Sequence, residues 1–171
     1  MTNIETERLS LRELNIDNDA EFILELLNEP GFIQNIGDRG VRTLEDAHAY
    51  ILNGPVASYA RHGFGLWRVA LKATDEPIGI CGLIKREVLE DVDLGYAFLE
   101  RHWGKGFAFE STATVKDYAR SMVGLKRLVA VVNPNNGKSI RVLEKLGMKY
   151  EKMVRLAESS PEIGLYGLDL D

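Results

Sequence analysis

The chain has 171 residues, one cysteine, and 45% apolar and 27% charged side chains, enough for one domain whose core needs neither disulfides nor a structural metal. A net charge of -5 at pH 7 argues against a nucleic-acid binder, and no apolar run approaches the ~20 residues that span a bilayer. Met1-Thr2-Asn3-Ile4-Glu5 lacks the basic start and apolar stretch of a signal peptide, so a cytoplasmic protein is expected.

In chain order, Leu9 to Arg12 alternates as a strand does, and Asn15 to Leu27 carries Phe22, Ile23, Leu26 and Leu27 at helical spacing. Glu29-Pro30-Gly31 breaks that helix, and a loop is expected from Pro30 to Thr43. Thr43 is placed to cap a second helix with Ala47, Tyr50 and Ile51 on its apolar stripe, ended or kinked at Asn53-Gly54-Pro55. From Phe64 the period changes to two: Trp67, Val69 and Leu71, then Ile78, Ile80, Gly82 and Ile84 beyond a turn at Glu76-Pro77, then Val92, Leu94, Tyr96 and Phe98. This predicts a three-stranded meander with Cys81 inside it as a small apolar residue. Ala108, Ser111, Thr112, Val115, Ala119 and Met122 mark one face of a helix closed by Gly124. Leu128 to Val132 reads as a short buried strand, Asn136 to Leu146 as a helix stopped by Gly147, and two last strands are expected near Met148 to Leu156 and Ile163 to Leu170. The order β-α-α-β-β-β-α-β-α-β-β describes a single mixed α/β domain over residues 1–171, without repeat or linker.

Two short segments carry chemistry. Arg101-His102-Trp103-Gly104-Lys105-Gly106 lies between the fourth predicted strand and a helix. Glycines there let the backbone approach a diphosphate, their N–H groups point at its oxygens, and the helix N-terminus adds partial positive charge. Asn133-Pro134-Asn135-Asn136-Gly137-Lys138-Ser139 opens the next helix. Gly137-Lys138-Ser139 is similar to the end of a nucleotide-binding P-loop, but Val132 stands where the first glycine is required. Gly104 and Gly106 make no dinucleotide fingerprint, because Phe109 occupies the third glycine position. His48, His62 and His102 have no metal-ligand spacing, and no metal is expected. Arg101, Lys105, Lys138 and Arg141 supply the local positive potential that an anionic cofactor needs.

The element order and the glycine pair resemble the GNAT superfamily of N-acetyltransferases over nearly the whole chain. Arg101, Gly104 and Gly106 fill the fixed positions of that family's Gln/Arg-x-x-Gly-x-Gly/Ala signature. The text from Leu94-Gly95-Tyr96 to Phe107-Ala108, with Glu110, looks like the ribosomal-protein N-terminal alanine and serine acetyltransferases. So does Asn136-x-x-Ser139 followed by Val142 to Met148. The resemblance implies a central, mostly antiparallel twisted sheet, splayed between the fourth and fifth strands with helices on both faces, and acetyl-CoA as cofactor. The cofactor-binding residues it implies are Phe98 and Leu99 at the end of the fourth strand, then His102, Gly104, Lys105, Gly106, Phe107 and Ala108 through their backbone N–H groups. Arg101 and Lys105 add charge, and Asn136, Lys138 and Ser139 complete the set. Asn136 is also placed to cap its helix, and Trp103 is expected to pack in the core.

The implied reaction is direct attack of an amine on the thioester, which needs a proton acceptor, a donor to the carbonyl oxygen and a group at the sulfur. Many superfamily members place a tyrosine at the sulfur, in the position held here by Leu143; Ser139 is the nearest hydroxyl and is assigned to the thiolate. Two carboxylates compete as the base: Asp93 on the fourth strand and Glu158 in the run Arg155-Leu156-Ala157-Glu158. The acceptor is expected to be a small-molecule amine or a protein N-terminus, the latter favoured by the subgroup. A non-enzymatic acyl-CoA sensor is the alternative, and a monomer or a homodimer fits either reading.

Overall fold

The computed structural model describes residues 3–171; Met1 and Thr2, part of the segment read for a leader, lie outside them. The alternation from Phe64 to Phe98 becomes the centre of a sheet: β3 (Leu66–Leu71), β4 (Pro77–Ile84) and β5 (Asp93–Phe98). Two strands precede them, β1 (Asn3–Glu5) and β2 (Leu9–Glu13), and three follow, β6 (Arg127–Val132), β7 (Lys149–Val154) and β8 (Ile163–Asp169). The sheet runs β1-β2-β3-β4-β5-β6-β8-β7, antiparallel throughout except between β5 and β6. The short β1 is an addition to the predicted order, so the fourth and fifth predicted strands are β5 and β6.

Successive residues of a strand face opposite sides, and the two sides bury different helices. On one, Trp67, Val69, Cys81, Leu83, Leu94 and Phe98 pack with Phe107 and Val115 of α5 (Phe107–Tyr118), with Ala119 just after it, and with Leu143 of α6 (Gly137–Lys145). On the other, Ile80, Ala97 and Leu99 pack with α1 (Ile16–Leu27), α2 (Pro30–Asn35) and α3 (Leu44–Ile51) through Ile23, Leu26, Phe32, Ala47 and Ile51. Burial pushes the Cys81 thiol up to about 12, which suits an inert core residue. Among the described residues no helix is long and apolar enough to cross a membrane.

Thr43 caps α3 as expected, its hydroxyl accepting from the Asp46 N–H while the Asp46 carboxylate accepts from the Thr43 N–H. Three features depart from the sequence reading. Pro30 starts α2 instead of opening a loop, because proline has no N–H to waste in a first turn. Pro55 lies inside a π-helical turn over Leu52–Val56 that carries the chain into α4 (Ala57–His62). A second π turn, Ala119–Val123, follows α5; its extra residue rotates Met122 off the apolar face, and Met122 is 72% exposed.

Long-range polar ties fix the helices to the sheet. Asp19, 1% exposed, accepts from both terminal nitrogens of Arg12 at 2.8 and 3.0 Å and from the Asn15 N–H at 2.9 Å, with Arg68 Nε 3.5 Å away. Glu110 accepts from the Arg8 N–H and from Arg8 Nε, tying α5 to the β1–β2 turn. At the sheet's centre β4 crosses close to the start of β3. A Cβ on Gly82 would stand 2.0 Å from the Gly65 carbonyl oxygen, and backbone there cannot yield cheaply. Gly82→Ala is expected to destabilise the protein by ~1–3 kcal/mol in urea unfolding; an unchanged midpoint would mean that β3 and β4 can separate freely.

Candidate active site

Strands β5 and β6 share one register position, Asp93 with Val129, where the Val129 N–H donates to the Val92 carbonyl at 3.0 Å. Beyond it they part. On the other edge of β5, Leu99 donates to Ile78 at 2.9 Å. The alternation of an antiparallel ladder then turns the N–H and C=O groups of Tyr96 and Phe98 away from β4 and into the gap. The Phe98 carbonyl accepts from the Trp103 indole N–H at 2.8 Å. A cleft of about 960 Å³ passes through this gap from one face of the sheet to the other.

The arm on the α5–α6 face is lined by Gly104, Gly106 and Ala108, by Asn136 to Ser139, and by Arg141 and Lys145. Gly104 and Gly106 have φ of +74° and +83°, a region that favours glycine. Gly106 stands at the N-cap of α5 without a side-chain hydrogen bond, so the first-turn N–H groups are left for a ligand. A Cβ on Gly104 would meet nothing within 4 Å; the space above the turn is open. Unpartnered backbone donors, a helix N-terminus and nearby cations fit a diphosphate. Asn136 Oδ1 caps α6 by accepting from the Ser139 N–H at 3.2 Å. Lys138 Nζ stands 5.7 Å from the centre of the Trp103 ring.

Two hydroxyls meet inside the gap: Tyr96 Oη lies 2.7 Å from Ser139 Oγ. Burial pushes the Tyr96 phenol up, opposed by Ser139, so it is a neutral donor at physiological pH. The alternation from Val92 to Phe98 gives the face of Tyr96, but its meeting with Ser139 spans 43 positions and has no local signal.

The opposite arm is lined by Pro30 to Phe32, Gln34 to Ile36, Arg39, Tyr50, Ile80, Ile84 and Arg86. Asp93, 1% exposed, stands at the junction with Oδ2 2.7 Å from Arg86 Nε; its Oδ1 has no hydrogen-bond partner. Burial pushes its carboxyl up to about 6, against the opposing pull of Arg86. Arg86, seven residues before Asp93 across the β4–β5 connection, belongs to no motif in the sequence.

The remaining sequence-derived candidates divide. Phe98, His102, Gly104, Gly106, Phe107, Ala108, Asn136, Lys138 and Ser139 line the cleft with Asp93. Leu99 does not: it lies in the core beneath α1–α3 and its N–H is spent on β4. The Arg101 side chain turns to Glu25 and Glu76, and Lys105 is exposed and does not line the cleft. Glu158 is exposed on the turn after β7, where Leu156 and Ile163, not Glu158, reach the cleft. Trp103 is a cleft residue, 40% exposed, and spans to α2: a Cβ on Gly31 would come within 2.4 Å of its ring.

Comparison with known proteins agrees with this architecture. The model of the acetyltransferase (GNAT) domain family matches residues 8–149. The N-acetyltransferase YoaA of Bacillus subtilis (strain 168) is 31% identical over 153 residues, covering 89% of this chain and 85% of its own. A crystal structure of an acetyltransferase from Agrobacterium tumefaciens str. C58 superposes with a TM-score of 0.83 at 27% identity, over 98% of this chain and 94% of that one. RimL, a ribosomal α-N-protein acetyltransferase solved in complex with coenzyme A, shares the fold at a TM-score of 0.74 and 16% identity, over 99% of both chains. The chain belongs to the GNAT acetyltransferase family.

Proposed function

We propose that this protein is an acetyl-CoA-dependent N-acetyltransferase that acts on a primary amine by direct attack on the thioester. The observation that carries the reading is the unpaired edge of β5 at Tyr96 and Phe98, running into the glycine turn at the start of α5. When bound, acetyl-CoA supplies an acetyl group activated as a thioester. The free N–H groups of β5 offer hydrogen bonds to an extended amide-bearing arm, as an added strand would, and to the developing negative charge on a carbonyl oxygen. Gly104, Gly106 and the first turn of α5 hold a diphosphate, with Lys138 and Arg141 adding charge.

Asp93 takes the proton of the incoming amine. Its Oδ1 has no hydrogen-bond partner, its Oδ2 is held by Arg86, and a carboxyl near 6 is ionised at neutral pH yet basic enough to accept a proton. The Tyr96–Ser139 pair donates a proton to the departing sulfur. Leu143, where many members of the family place a tyrosine, is buried and has no hydroxyl, and beside Ser139 the phenol of Tyr96 comes from the facing strand. Glu158, outside the cleft, is given no part.

The reading is tested by thiol release from acetyl-CoA against a panel of small amines and peptides, with coenzyme A binding measured in parallel. Release with at least one acceptor class is expected; tight binding without release from any acceptor would favour a sensor. Tyr96→Phe and Ser139→Ala are each expected to lower kcat by ~10- to 100-fold with little change in the KM for acetyl-CoA. Because the two hydroxyls act as one hydrogen-bonded unit, the double variant should be hardly slower than either single one. Multiplicative losses would show that they act separately.

A further inference from the structure

A side cavity of about 390 Å³ adjoins the α2–α3 arm of the cleft, sharing Arg39, Tyr50, Leu66, Ile84 and Arg86 with it. Its ionisable lining consists of Arg39, Arg61, Lys85, Arg86, His62 and the Tyr50 phenol, with no carboxylate. In a chain of net charge -5 this is a local reversal of sign. Two of the cations are committed: Arg86 to Asp93, and Lys85, whose Nζ donates to the Leu89 carbonyl at 2.8 Å and the Glu90 carbonyl at 3.2 Å. Arg39 and Arg61 have no ion pair or side-chain hydrogen bond among the described residues, whereas every other arginine except Arg141 donates to a carboxylate or a carbonyl. Arg141 lines the arm assigned to the cofactor. The arginines left without partners thus line the cleft or its side cavity.

The cavity does not serve the cofactor phosphates, which the glycine turn and α6 receive on the opposite face of the sheet. Arg86 joins it to the chemistry, since the same guanidinium lines the cavity and holds Asp93. The Tyr50 phenol, pushed up by burial against the pull of Arg39 and Arg86, stands between the two spaces as a neutral donor. We infer that the acceptor amine carries an anionic group, a carboxylate or a phosphate, which docks in the side cavity against Arg39 and Arg61 while the amine faces Asp93. Guanidinium groups suit both anions, through paired N–H donors. This inference rests on the N-acetyltransferase reading.

The test uses acceptors matched except for the anion: β-alanine with its amide, phosphoethanolamine with ethanolamine, and alanyl-glutamate with alanyl-glutamine. In any series that turns over, the anionic member is expected to have a kcat/KM at least roughly tenfold higher, expressed in KM. In the Arg39→Ala/Arg61→Ala double variant that ratio should fall below about 2. The series with the largest ratio separates carboxylate from phosphate. Equal or better turnover of the neutral members, or a ratio unchanged in the double variant, overturns the inference and leaves the enzyme reading intact. If no acceptor turns over, the enzyme reading fails, and the cavity is read separately with coenzyme A saturating, so that the glycine turn is filled. Inorganic phosphate should then raise the melting temperature of the wild type above that in chloride at matched ionic strength, and not that of the double variant; no such difference overturns the inference as well.

Discussion

Asp93→Asn is expected to lower kcat by at least ~100-fold and, at the same time, to make the protein more stable at neutral pH. Both effects come from one carboxylate held out of water. Its folded value of about 6 lies above the ordinary 3.8, so folding favours the protonated form. Well below pH 3.8 the carboxyl is neutral in both states and carries no penalty. As the pH rises through 6 the folded protein must hold a buried charge that the unfolded chain holds in water, a difference of about 3 kcal/mol. Asparagine removes that charge and keeps an oxygen for Arg86 to donate to, but loses the ion pair, so a net gain of about 1–2 kcal/mol is expected. Urea unfolding should show the gain at pH 8 and not at pH 4; destabilisation at both would mean that the Arg86 pair outweighs the cost of burial. In kinetics, the wild-type kcat/KM, corrected for ionisation of the acceptor amine, should rise with pH to half its plateau near 6, a limb absent in the asparagine variant. If the limb persists there, the titrating group is not Asp93.

Asp19→Ala is expected to cost ~3–5 kcal/mol, because it leaves Arg12 without its counter-charge and the buried Arg68 with only the exposed Asp75. For a chain of this size that corresponds to a fall of roughly 10 °C in melting temperature. Asp19 also accepts the Asn15 N–H, so the start of α1 loses an anchor to β2 and β3 together with the ion pairs. Asp19→Asn preserves an acceptor for that N–H and should recover part of the loss, whereas Arg12→Met, which removes only the more exposed partner, should cost less than either. Calorimetry on the three variants tests the ranking; a loss below about 1 kcal/mol in the alanine variant would place the cluster with ordinary surface pairs.

The central meander and the helix boundaries were readable in the sequence because each had a local signal: alternation from Phe64 to Phe98, Thr43 and Asn136 as caps, Gly124 and Gly147 as stops. The glycine turn was readable for the same reason, since Gly104 and Gly106 stand at a strand-to-helix junction. What escaped was set by contacts between distant segments. Pro30 reads equally as a breaker and as a first helical residue, and only the apolar surface under Phe32 decides. Met122 holds the spacing of the apolar face, but a π turn changes the count of residues per turn. Tyr96 and Ser139 each have a plausible local role, and nothing near either one announces the other. Arg101 satisfied a signature position, yet Glu25 and Glu76, brought close by α1 and the β3–β4 turn, draw its side chain away.

The single shared register between β5 and β6 also has a mechanical consequence. On one side of it stand β1 to β5 and on the other β6, β8 and β7, each bonded along its length within its own group. The seam between them can widen without either group losing its internal ladder, since α5 and α6 bridge it by packing and not by strand pairing. Local openings of this kind cost far less than global unfolding. The acyl-CoA proposed above would therefore lie along a seam between two stiff plates that already part beyond Asp93 and Val129.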